Sequence, residues 1–392
     1  MPFDVARARR ETPGCFEVLH FNNAGAALMP QPVLGAVFDH LRLEARLGGY
    51  EAAAAMRAEI DATYDALARL LGCHRSEVAV VENATRAWDM AFYALPLRTG
   101  DRILTGRAAY ASNYIAFLQR ARQTGATVEV IEDDAEGQID VAALEQRIDE
   151  RVRLIALTHV PTNGGLVNPA AEVGRVARAA GIPFLLDACQ SAGQLPLDVD
   201  ALGADMLSAT SRKFLRGPRG VGFLYVRRAW IERLEPPFLD LHAAEWTAPD
   251  AYRIRPDARR FENWESNLAG TLGLKAAVEY ALDWGLGAIA ARVQALAATL
   301  RERLESVAGV TVHDAGRVRC GIVTFSAQAR GAEAIQEALR RRRIHVSVSD
   351  PSSTLLDAAA RGLPPMVRAS VHYYNTDDEI ERFVAALQAV LD

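Results

Sequence analysis

The stretch Ser208–Val226 reads SATSRKFLRGPRGVGFLYV. Lys213 lies in its middle, and the 392-residue chain contains one other lysine, Lys275, among cationic residues that are otherwise arginine. The part GPRGVGFLYV alternates glycine with apolar residues, which is typical of a tight turn that enters a buried strand. We therefore expect Lys213 to lie at a connection between strands of a sheet.

An amine at position 213 offers chemistry that a guanidinium lacks. Arginine stays protonated in proteins, whereas lysine loses its proton when it is desolvated or placed near other cations. A deprotonated amine can attack a carbonyl and form a Schiff base. An ordinary solvated lysine is the alternative, but the predicted strand connection favours the Schiff base. We expect Arg212, Arg216 and Arg219 to surround the amine and lower its pKa.

Composition excludes several classes of function. The net charge of −5 gives no basic surface for nucleic acid. No stretch approaches 18 uninterrupted apolar residues and the first residues contain no apolar signal core, so we expect no membrane span and a cytoplasmic location. The four cysteines are scattered without a CxxC pair, so we predict neither a disulfide framework nor a metal site.

Seven short apolar runs between residues 76 and 226 alternate with amphipathic helical stretches. The runs are VAVVEN, RILTG, TVEVIED, LIALTHV, IPFLLDAC, MLSATS and VGFLYV. Strands that are apolar throughout and separated by helices predict an α/β fold with a mostly parallel sheet, whose ligands bind at the carboxyl ends of the strands. We predict a large domain over 18–284 and a small α/β domain formed by 1–17 and 285–392.

Asp187 ends the run IPFLLDAC, where a buried carboxylate needs a partner. It could cap a helix, since aspartate is common at strand-to-helix turns. It could also bind the protonated pyridine nitrogen of pyridoxal phosphate, a cofactor that requires an anionic partner there. Because Lys213 follows the next strand, the carboxylate and the amine would hold the two ends of one flat ring.

Other strand ends carry polar groups suited to the same ligand. In VENATRAW, the backbone N–H groups of Ala84 and Thr85, the threonine hydroxyl and the Arg86 guanidinium form a predicted phosphate site, although small polar residues begin most helices. Thr162 either bonds the cofactor's phenolic oxygen or belongs to a plain loop turn. Tyr110 either stacks on the ring or packs in the core.

Seven motifs occur in an order that resembles the class V aminotransferase and cysteine desulfurase superfamily, of pyridoxal phosphate (PLP) fold type I. They are FNNAGAALMP, NATRAW, HVPTNGGLVNP, LLDACQSAGQLPLDV, SATSRKFLRGPRGVGFLYV, FENWESN and VRASVHYYNTDDEI. The resemblance implies a large domain with a mostly parallel seven-stranded sheet, a small C-terminal α/β domain and pyridoxal 5'-phosphate as cofactor. It also implies a homodimer with shared active sites, in which FENWESN reaches the neighbouring subunit's phosphate.

The resemblance also implies roles for individual residues. Lys213 would carry the cofactor as a Schiff base and act in catalysis, and Asp187 would bond the pyridinium. Gln190 would reach the phenolic oxygen, while Tyr110 would stack where many relatives have histidine.

The remaining roles concern the phosphate and the substrate, a small amino acid. Thr85, Thr210 and Arg212 would hold the phosphate, and Arg212 replaces a histidine that desulfurases carry before the lysine. Arg368 would clamp the substrate's α-carboxylate with its guanidinium, and Asn23 would also contact the substrate.

The expected reaction depends on residues 345–368, which read HVSVSDPSSTLLDAAARGLPPMVR. Desulfurases carry a nucleophilic cysteine on a loop at this point, and its absence argues against persulfide-forming desulfurase activity. RLGGYEAAAAM at 46–56 resembles the C–S lyases of ergothioneine biosynthesis, and RKFLRGPRG is also similar to isopenicillin N epimerase-like proteins. We therefore expect β-elimination from a cysteine conjugate, with release of pyruvate and ammonia; aminotransferase or epimerase activity is the alternative.

Two further classes are disfavoured. A dehydrogenase would need a G-x-G-x-x-G after the first strand, which the sequence lacks. An inactive binding subunit is disfavoured because Lys213, Asp187, Gln190 and Arg368 are all present.

Overall fold

The computed structural model of the protein describes residues 3–392. The strands are β1 (Leu19–His20), β2 (Val78–Val81), β3 (Arg102–Gly106), β4 (Thr127–Ile131), β5 (Val152–Thr158), β6 (Phe184–Asp187), β7 (Met206–Thr210), β8 (Gly222–Val226), β9 (Ala244–Ala248), β10 (Ala251–Ile254), β11 (Val310–Val312), β12 (Ile322–Ala327), β13 (Ile344–His345), β14 (Ser347–Ser349) and β15 (Met366–Ser370).

Fifteen α-helices connect and cover these strands in the described part of the chain. They are α1 (Val5–Arg10), α2 (Asn23–Ala26), α3 (Gln31–Leu47), α4 (Gly49–Ala55), α5 (Arg57–Leu71), α6 (Ala84–Phe92), α7 (Ala111–Thr124), α8 (Val141–Gln146), α9 (Ala170–Ala180), α10 (Arg228–Ile231), α11 (Leu268–Trp284), α12 (Leu286–Glu305), α13 (Ala332–Arg341), α14 (Leu355–Arg361) and α15 (Asp377–Leu391).

The seven predicted apolar runs form one seven-stranded sheet in the order β2-β8-β7-β6-β5-β3-β4. The neighbours from β7 to β4 are parallel, and β8 is antiparallel to both β7 and β2. The prediction of an α/β fold with a mostly parallel sheet is confirmed. Because β6 and β7 are direct neighbours, the ends that carry Asp187 and Lys213 lie side by side.

Both faces of this sheet are buried, which explains why its strands are apolar throughout. In β5, Leu154 and Ala156 pack with α6 and α7, whereas Ile155 and Leu157 pack with α5, α9 and α11. Each fully buried leucine or isoleucine side chain contributes about 1.5–3 kcal/mol of transfer free energy. The helices on the two faces therefore hold the sheet rigidly beneath the carboxyl ends of its parallel strands.

The C-terminal region has its own four-stranded antiparallel sheet, in the order β11-β12-β15-β14. Its core is shared with α12, α13 and α15, and it also contains Leu19 and Phe21 from the N-terminal part of the chain. β1 pairs in parallel with β13, which ties residues 19–20 to the same region. The predicted domain boundaries at 17/18 and 284/285 stay a prediction.

The aperiodic segment 228–267 contains a hairpin of β9 and β10 that the sequence did not reveal. Its strands are largely exposed: Trp246 is 80% and Tyr252 is 56% accessible. Alternation of buried and exposed residues is therefore weak, and the period-2 signal for strands is missing. Across residues 3–392, we find no helix with the length and apolarity needed to traverse a bilayer.

Candidate active site

Three neighbouring parallel strands carry polar residues that are aligned across the sheet, at the ends of β5 and β6 and two residues before the end of β7. Thr158 of β5 is in register with Asp187 of β6, which is in register with Ser208 of β7. Parallel strands place their carboxyl ends at one edge, so alignment in register brings these side chains together. All three line one cavity above the sheet.

Asp187 is 4% exposed and is held by two hydrogen bonds. The side-chain amide of Asn113, on α7, donates to its Oδ2 at 2.8 Å, and the backbone N–H of Cys189 donates to its Oδ1 at 2.9 Å. These donors compensate part of the cost of burying a carboxylate. Asp187 therefore points a fixed acceptor group into the cavity.

Lys213 also lines the cavity, three residues beyond the end of β7. Burial lowers the pKa of its amine, and the nearby Arg212 and Arg368 lower it further, while Cys189 and Asp187 oppose the shift. The loop that carries Lys213 fits closely against the loop after β6. A Cβ at Gly193, where φ is +91°, would collide with the backbone of Phe214 and Leu215.

Arg216 does not take the predicted place beside the amine. Its guanidinium is buried away from the cavity, where it donates to the carbonyl oxygen of Leu28 at 2.8 Å, the hydroxyl of Tyr373 at 2.5 Å and the hydroxyl of Thr12 at 2.6 Å. Its backbone has φ of +64°, a left-handed conformation that these three bonds help to hold. Arg216 is a structural arginine of the loop.

The start of α6 lines the cavity, and its role as a phosphate site stays a prediction. Asn83 caps the helix by accepting from the backbone N–H of Arg86 at 2.9 Å, and Ala84 and Thr85 line the cavity. Gly222 permits this approach, because a Cβ there would meet the Ala209 carbonyl oxygen at 2.6 Å and the Ala84 nitrogen at 3.1 Å. Thr210, the register partner of Gly222, also lines the cavity.

The predicted phosphate-binding residue Arg86 is absent from the cavity lining. It stacks over the ring of Phe238 at 3.9 Å, and its Nη2 lies 3.4 Å from Asn263 Oδ1. The motif NATRAW gives the type of residue but not the direction of a long, flexible side chain. We therefore leave Arg86 out of the cofactor-binding set that we propose below.

Arg368 is 8% exposed and adjoins the cavity through Thr162. Its Nη1 donates to the hydroxyl of Thr162 at 2.6 Å and to the carbonyl oxygen at 3.1 Å. Its Nε, also buried, has no hydrogen-bond partner within residues 3–392. Burial, together with the charge of Arg212, lowers the pKa of this guanidinium to about 10, so it stays protonated near neutral pH.

Gln190 extends this hydrogen-bonded group. Its amide nitrogen donates to the Ala24 carbonyl oxygen at 3.1 Å and lies 3.4 Å from Thr162 Oγ1. The side-chain oxygen of Gln190 is buried without a partner among the described residues. Because Gln190 lines the cavity, this oxygen is free to accept a hydrogen bond from a group bound there.

Asn23 is fully enclosed by protein. Its amide donates to the Ser370 carbonyl oxygen at 2.6 Å, and its oxygen accepts from the hydroxyl of Tyr374. It is absent from the cavity lining, so its predicted contact with the substrate stays a prediction. Arg212 and Tyr110 do line the cavity, and Tyr110 is 37% exposed at its mouth.

The cavity has a volume of about 690 Å³, which includes solvent space at its mouth. All predicted cofactor-binding residues except Arg86 line it. The sequence missed Asn83, Asn113, Thr158, Val160, Cys189 and Ser208. Strand-end position marks Thr158, but no sequence signal shows that Asn113, in the first turn of α7, reaches Asp187.

Comparison with known proteins identifies relatives over nearly the whole chain. A probable cysteine desulfurase of Xylella fastidiosa (strain 9a5c) is 32% identical over 384 residues, covering 95% of this chain and 91% of the relative. A cysteine desulfurase of Serratia proteamaculans (strain 568) is 29% identical and covers 100% of this chain and 99% of its own. The apo structure of cysteine desulfurase from Thermococcus onnurineus NA1 superposes with a TM-score of 0.92 at 27% identity, covering 100% and 98% of the two chains.

These relatives correct the expected reaction. We expected a β-eliminating C–S lyase, with aminotransferase or epimerase as alternatives, and argued against a persulfide-forming desulfurase. That prediction is wrong, since the relatives by sequence and by structure are cysteine desulfurases. The prediction was based on the absence of a single cysteine from residues 345–368, whereas the similarity to desulfurases extends over the whole chain.

The cofactor and the family, in contrast, are as predicted. Gln190 and Arg368 each leave a buried polar atom free beside the cavity, and Lys213 and Asp187 supply the amine and carboxylate that PLP needs. Enzymes of this kind depend on PLP, so the cofactor prediction is confirmed. The family model described as aminotransferase class-V matches residues 19–383. The chain belongs to the class-V aminotransferase family and has the PLP fold type I architecture of the cysteine desulfurases.

Proposed function

We propose that this protein uses PLP to break the Cβ–S bond of L-cysteine, as a cysteine desulfurase. One observation carries the proposal: Lys213 and Asp187 line the same cavity, at the ends of neighbouring strands, in a chain similar to desulfurases over 95% of its length. Bound PLP would act as an electron sink for the bonds at the substrate's Cα.

The cofactor would be held at its ring and at its phosphate. Asp187 would bond the ring nitrogen, Gln190 and Thr162 would face the phenolic oxygen, and Tyr110 would cover the ring. At the other end, backbone N–H groups at the start of α6 suit a phosphate, because the N-terminus of a helix has free donors and a positive dipole. Thr85, Thr210 and Arg212 would add hydroxyl and guanidinium donors there. The roles in this paragraph are proposed because the residues line the cavity. Gln190 has the further support of its unpaired side-chain oxygen.

Lys213 would bind the cofactor and then move protons. Because burial lowers the pKa of the amine, a larger fraction is neutral near pH 7 than for a solvated lysine. A neutral amine can take a proton from the substrate's Cα and return it.

Arg368 would fix the substrate's α-carboxylate. Its Nη1 is committed to Thr162, while its Nε is buried and free, so the guanidinium is oriented before any substrate arrives. A carboxylate is the anion that best matches this planar donor.

We further propose a homodimer with shared active sites. Four large apolar side chains on α3 and α4 are exposed: Phe38 (51%), Leu41 (47%), Leu47 (47%) and Tyr50 (79%). We call these four side chains the α3–α4 surface and propose that part of it meets the second copy, since large apolar side chains exposed on a protein surface can mark an interface. A cytoplasmic location also stays a proposal, supported by four free cysteines.

The test compares the two lysines of the chain. The Lys213→Ala protein, supplied with PLP and L-cysteine, should form L-alanine about a thousandfold more slowly or not at all, because it lacks the amine that moves protons. Lys275→Ala is the matched control, since Lys275 pairs with Glu59 and Glu279 on α5 and α11, away from the cavity lining. Amino-acid analysis measures L-alanine.

Two results would overturn the proposal. Full activity of Lys213→Ala would remove the amine from the mechanism. Pyruvate and ammonia in place of L-alanine from the parent protein would show a different fate of the carbon skeleton.

A further inference from the structure

We propose that a small thiol from solution, which includes a second molecule of L-cysteine, enters the cavity and takes the sulfur directly, so that the chain itself is not the sulfur carrier. This inference rests on the proposed desulfurase function. It follows from the positions of the four cysteine thiols and from the segment Asp350–Arg361, which borders the cavity.

Three cysteines lie away from the site. Cys15 is 9% exposed in a 3-10 turn at Pro13–Phe16, and Cys320 is fully buried, so neither can meet a substrate. Cys73 follows α5, and its surroundings include Glu77, Asp198 and Asp200. Burial and these carboxylates raise its pKa to about 12, which leaves almost no thiolate. None of the three lines the cavity as described over residues 3–392.

Cys189 lines the cavity, but its surroundings do not suit a sulfur acceptor. It lies two residues after Asp187, and burial together with the Asp187 charge raises the pKa of its thiol well above the ordinary value. A thiolate there would place a second negative charge beside a buried carboxylate. Lys213 and Arg212 oppose this shift without reversing its direction, so the thiolate, which is the nucleophilic form, is disfavoured at Cys189.

The segment Asp350–Arg361 borders the site without offering a thiol. It forms a 3-10 turn at Pro351–Thr354 and then α14. Asn163, next to Thr162 of the cavity, donates to the Asp350 carbonyl oxygen at 2.9 Å and to Thr354 Oγ1 at 3.2 Å. Thr354 is 1% exposed. The segment is thus anchored beside the cavity, and a serine or threonine hydroxyl there cannot hold sulfur as a persulfide.

The reaction balances with the external thiol as the only co-reactant. The thiolate attacks the sulfur of L-cysteine, an S–S bond forms, and the Cβ–S bond breaks with its electron pair remaining on Cβ. Cβ then takes a proton. The products are L-alanine and a hydropersulfide of the acceptor; the sulfur is oxidised and Cβ is reduced, so no further oxidant or reductant is needed.

The experiment uses the PLP-loaded protein, limiting L-cysteine and 2-mercaptoethanol as the probe. We expect the rate of L-alanine formation to rise about tenfold or more as the probe is added, because the sulfur otherwise lacks a nucleophile except free L-cysteine. We also expect alkylation and mass spectrometry to detect the hydropersulfide of the probe, while the intact mass of the protein shows no added sulfur. Cys73→Ser serves as the control, since it removes a partly exposed thiol that could exchange with the product.

Three results would count against the inference in distinguishable ways. Sulfur bound to Cys189 or another cysteine of the chain, and released as L-alanine accumulates, would make the chain the acceptor. L-alanine that forms only after a thiol-bearing protein is added, with small thiols inert, would replace the small thiol with a protein partner. No L-alanine under any of these conditions would overturn the proposed function itself.

Discussion

Asp187 illustrates how single residues set up the site. It ends β6 among apolar neighbours, where a carboxylate loses most of its hydration. The Asn113 amide and the Cys189 backbone N–H replace two water contacts and fix both carboxylate oxygens in direction. The ring nitrogen of PLP would then meet an oriented acceptor, and Asn113 would act as a positioning residue that touches neither substrate nor reacting atoms.

Asn113→Ala should weaken PLP binding about tenfold. The hydrogen bond to the buried Asp187 carboxylate contributes about 1.5–3 kcal/mol, and we expect part of this energy to be lost from the PLP complex when the amide is removed. Titration of the apo-protein with PLP, followed by absorbance, measures the affinity. Gln123→Ala, on the exposed side of the same helix, is the control. An unchanged affinity for Asn113→Ala would show that Asp187 keeps its orientation without the amide.

Asp133 gives a pH-dependent prediction. Burial raises the pKa of its carboxyl to about 6, and Arg107, at 3.4 Å, only partly offsets the shift. A raised folded-state pKa means that the folded protein binds the proton more tightly, so stability falls as pH rises from about 4 to about 6. Asp133→Asn should therefore raise the melting temperature by about 2 °C at pH about 8, and by less at pH about 5. The exposed Asp250→Asn is the control, and an equal gain at both pH values would contradict the assignment.

The sequence predicted which residues lie at the site better than it predicted where long side chains point. Lys213 and Asp187 could be predicted because backbone position alone, at the end of a strand, brings them to the sheet edge. Arg86 and Arg216 could not, since the direction of a long side chain depends on partners such as Phe238 and Tyr373 that lie far away in sequence.

At the scale of elements, the site depends on two loops that interlock. The loop after β6 carries Gln190 and Gly193, and the loop after β7 carries Lys213. Gly193 lies directly against the backbone of Phe214, the residue after Lys213. No side chain fits between the two loops at this point, so direct backbone contact sets how closely they approach each other.

Gly193→Ala should lower the free energy of unfolding by about 2–4 kcal/mol and weaken PLP binding, because the new methyl group must push the loop of Lys213 away. Gly181→Ala is the matched control. Its backbone is also left-handed, with φ of +67°, but a Cβ there meets nothing within 4 Å. Thermal denaturation and PLP titration of both variants separate the collision from the backbone strain; equal losses would show that only the strain matters.

The elements of the large sheet were predictable because burial on both faces makes their sequences continuously apolar. The antiparallel direction of β8 was not, since strand direction depends on the length and path of the connection after Lys213. The β9–β10 hairpin was also missed, because its exposed strands lack the apolar alternation on which such predictions depend.

For the whole molecule, the exposed α3–α4 surface predicts association of two copies. Tyr50→Glu should raise the dimer dissociation constant about tenfold or more, because it places a charge where an aromatic side chain would be buried. Sedimentation velocity measures the association. Phe16→Glu is the control, since Phe16 is also exposed (69%) but lies apart in the 3-10 turn at Pro13–Phe16. A parent protein that stays monomeric at all concentrations would contradict the proposed dimer.

The scarcity of lysine has a practical consequence for measurement. Of the two side-chain amines, Lys275 is engaged by two glutamates and Lys213 faces the cavity. Apart from the α-amino group, amine-directed labelling would thus have only two targets, and modification at position 213 would report whether the cavity is filled. The chain carries an intrinsic occupancy probe, and peptide mapping can read it without any substituted residue.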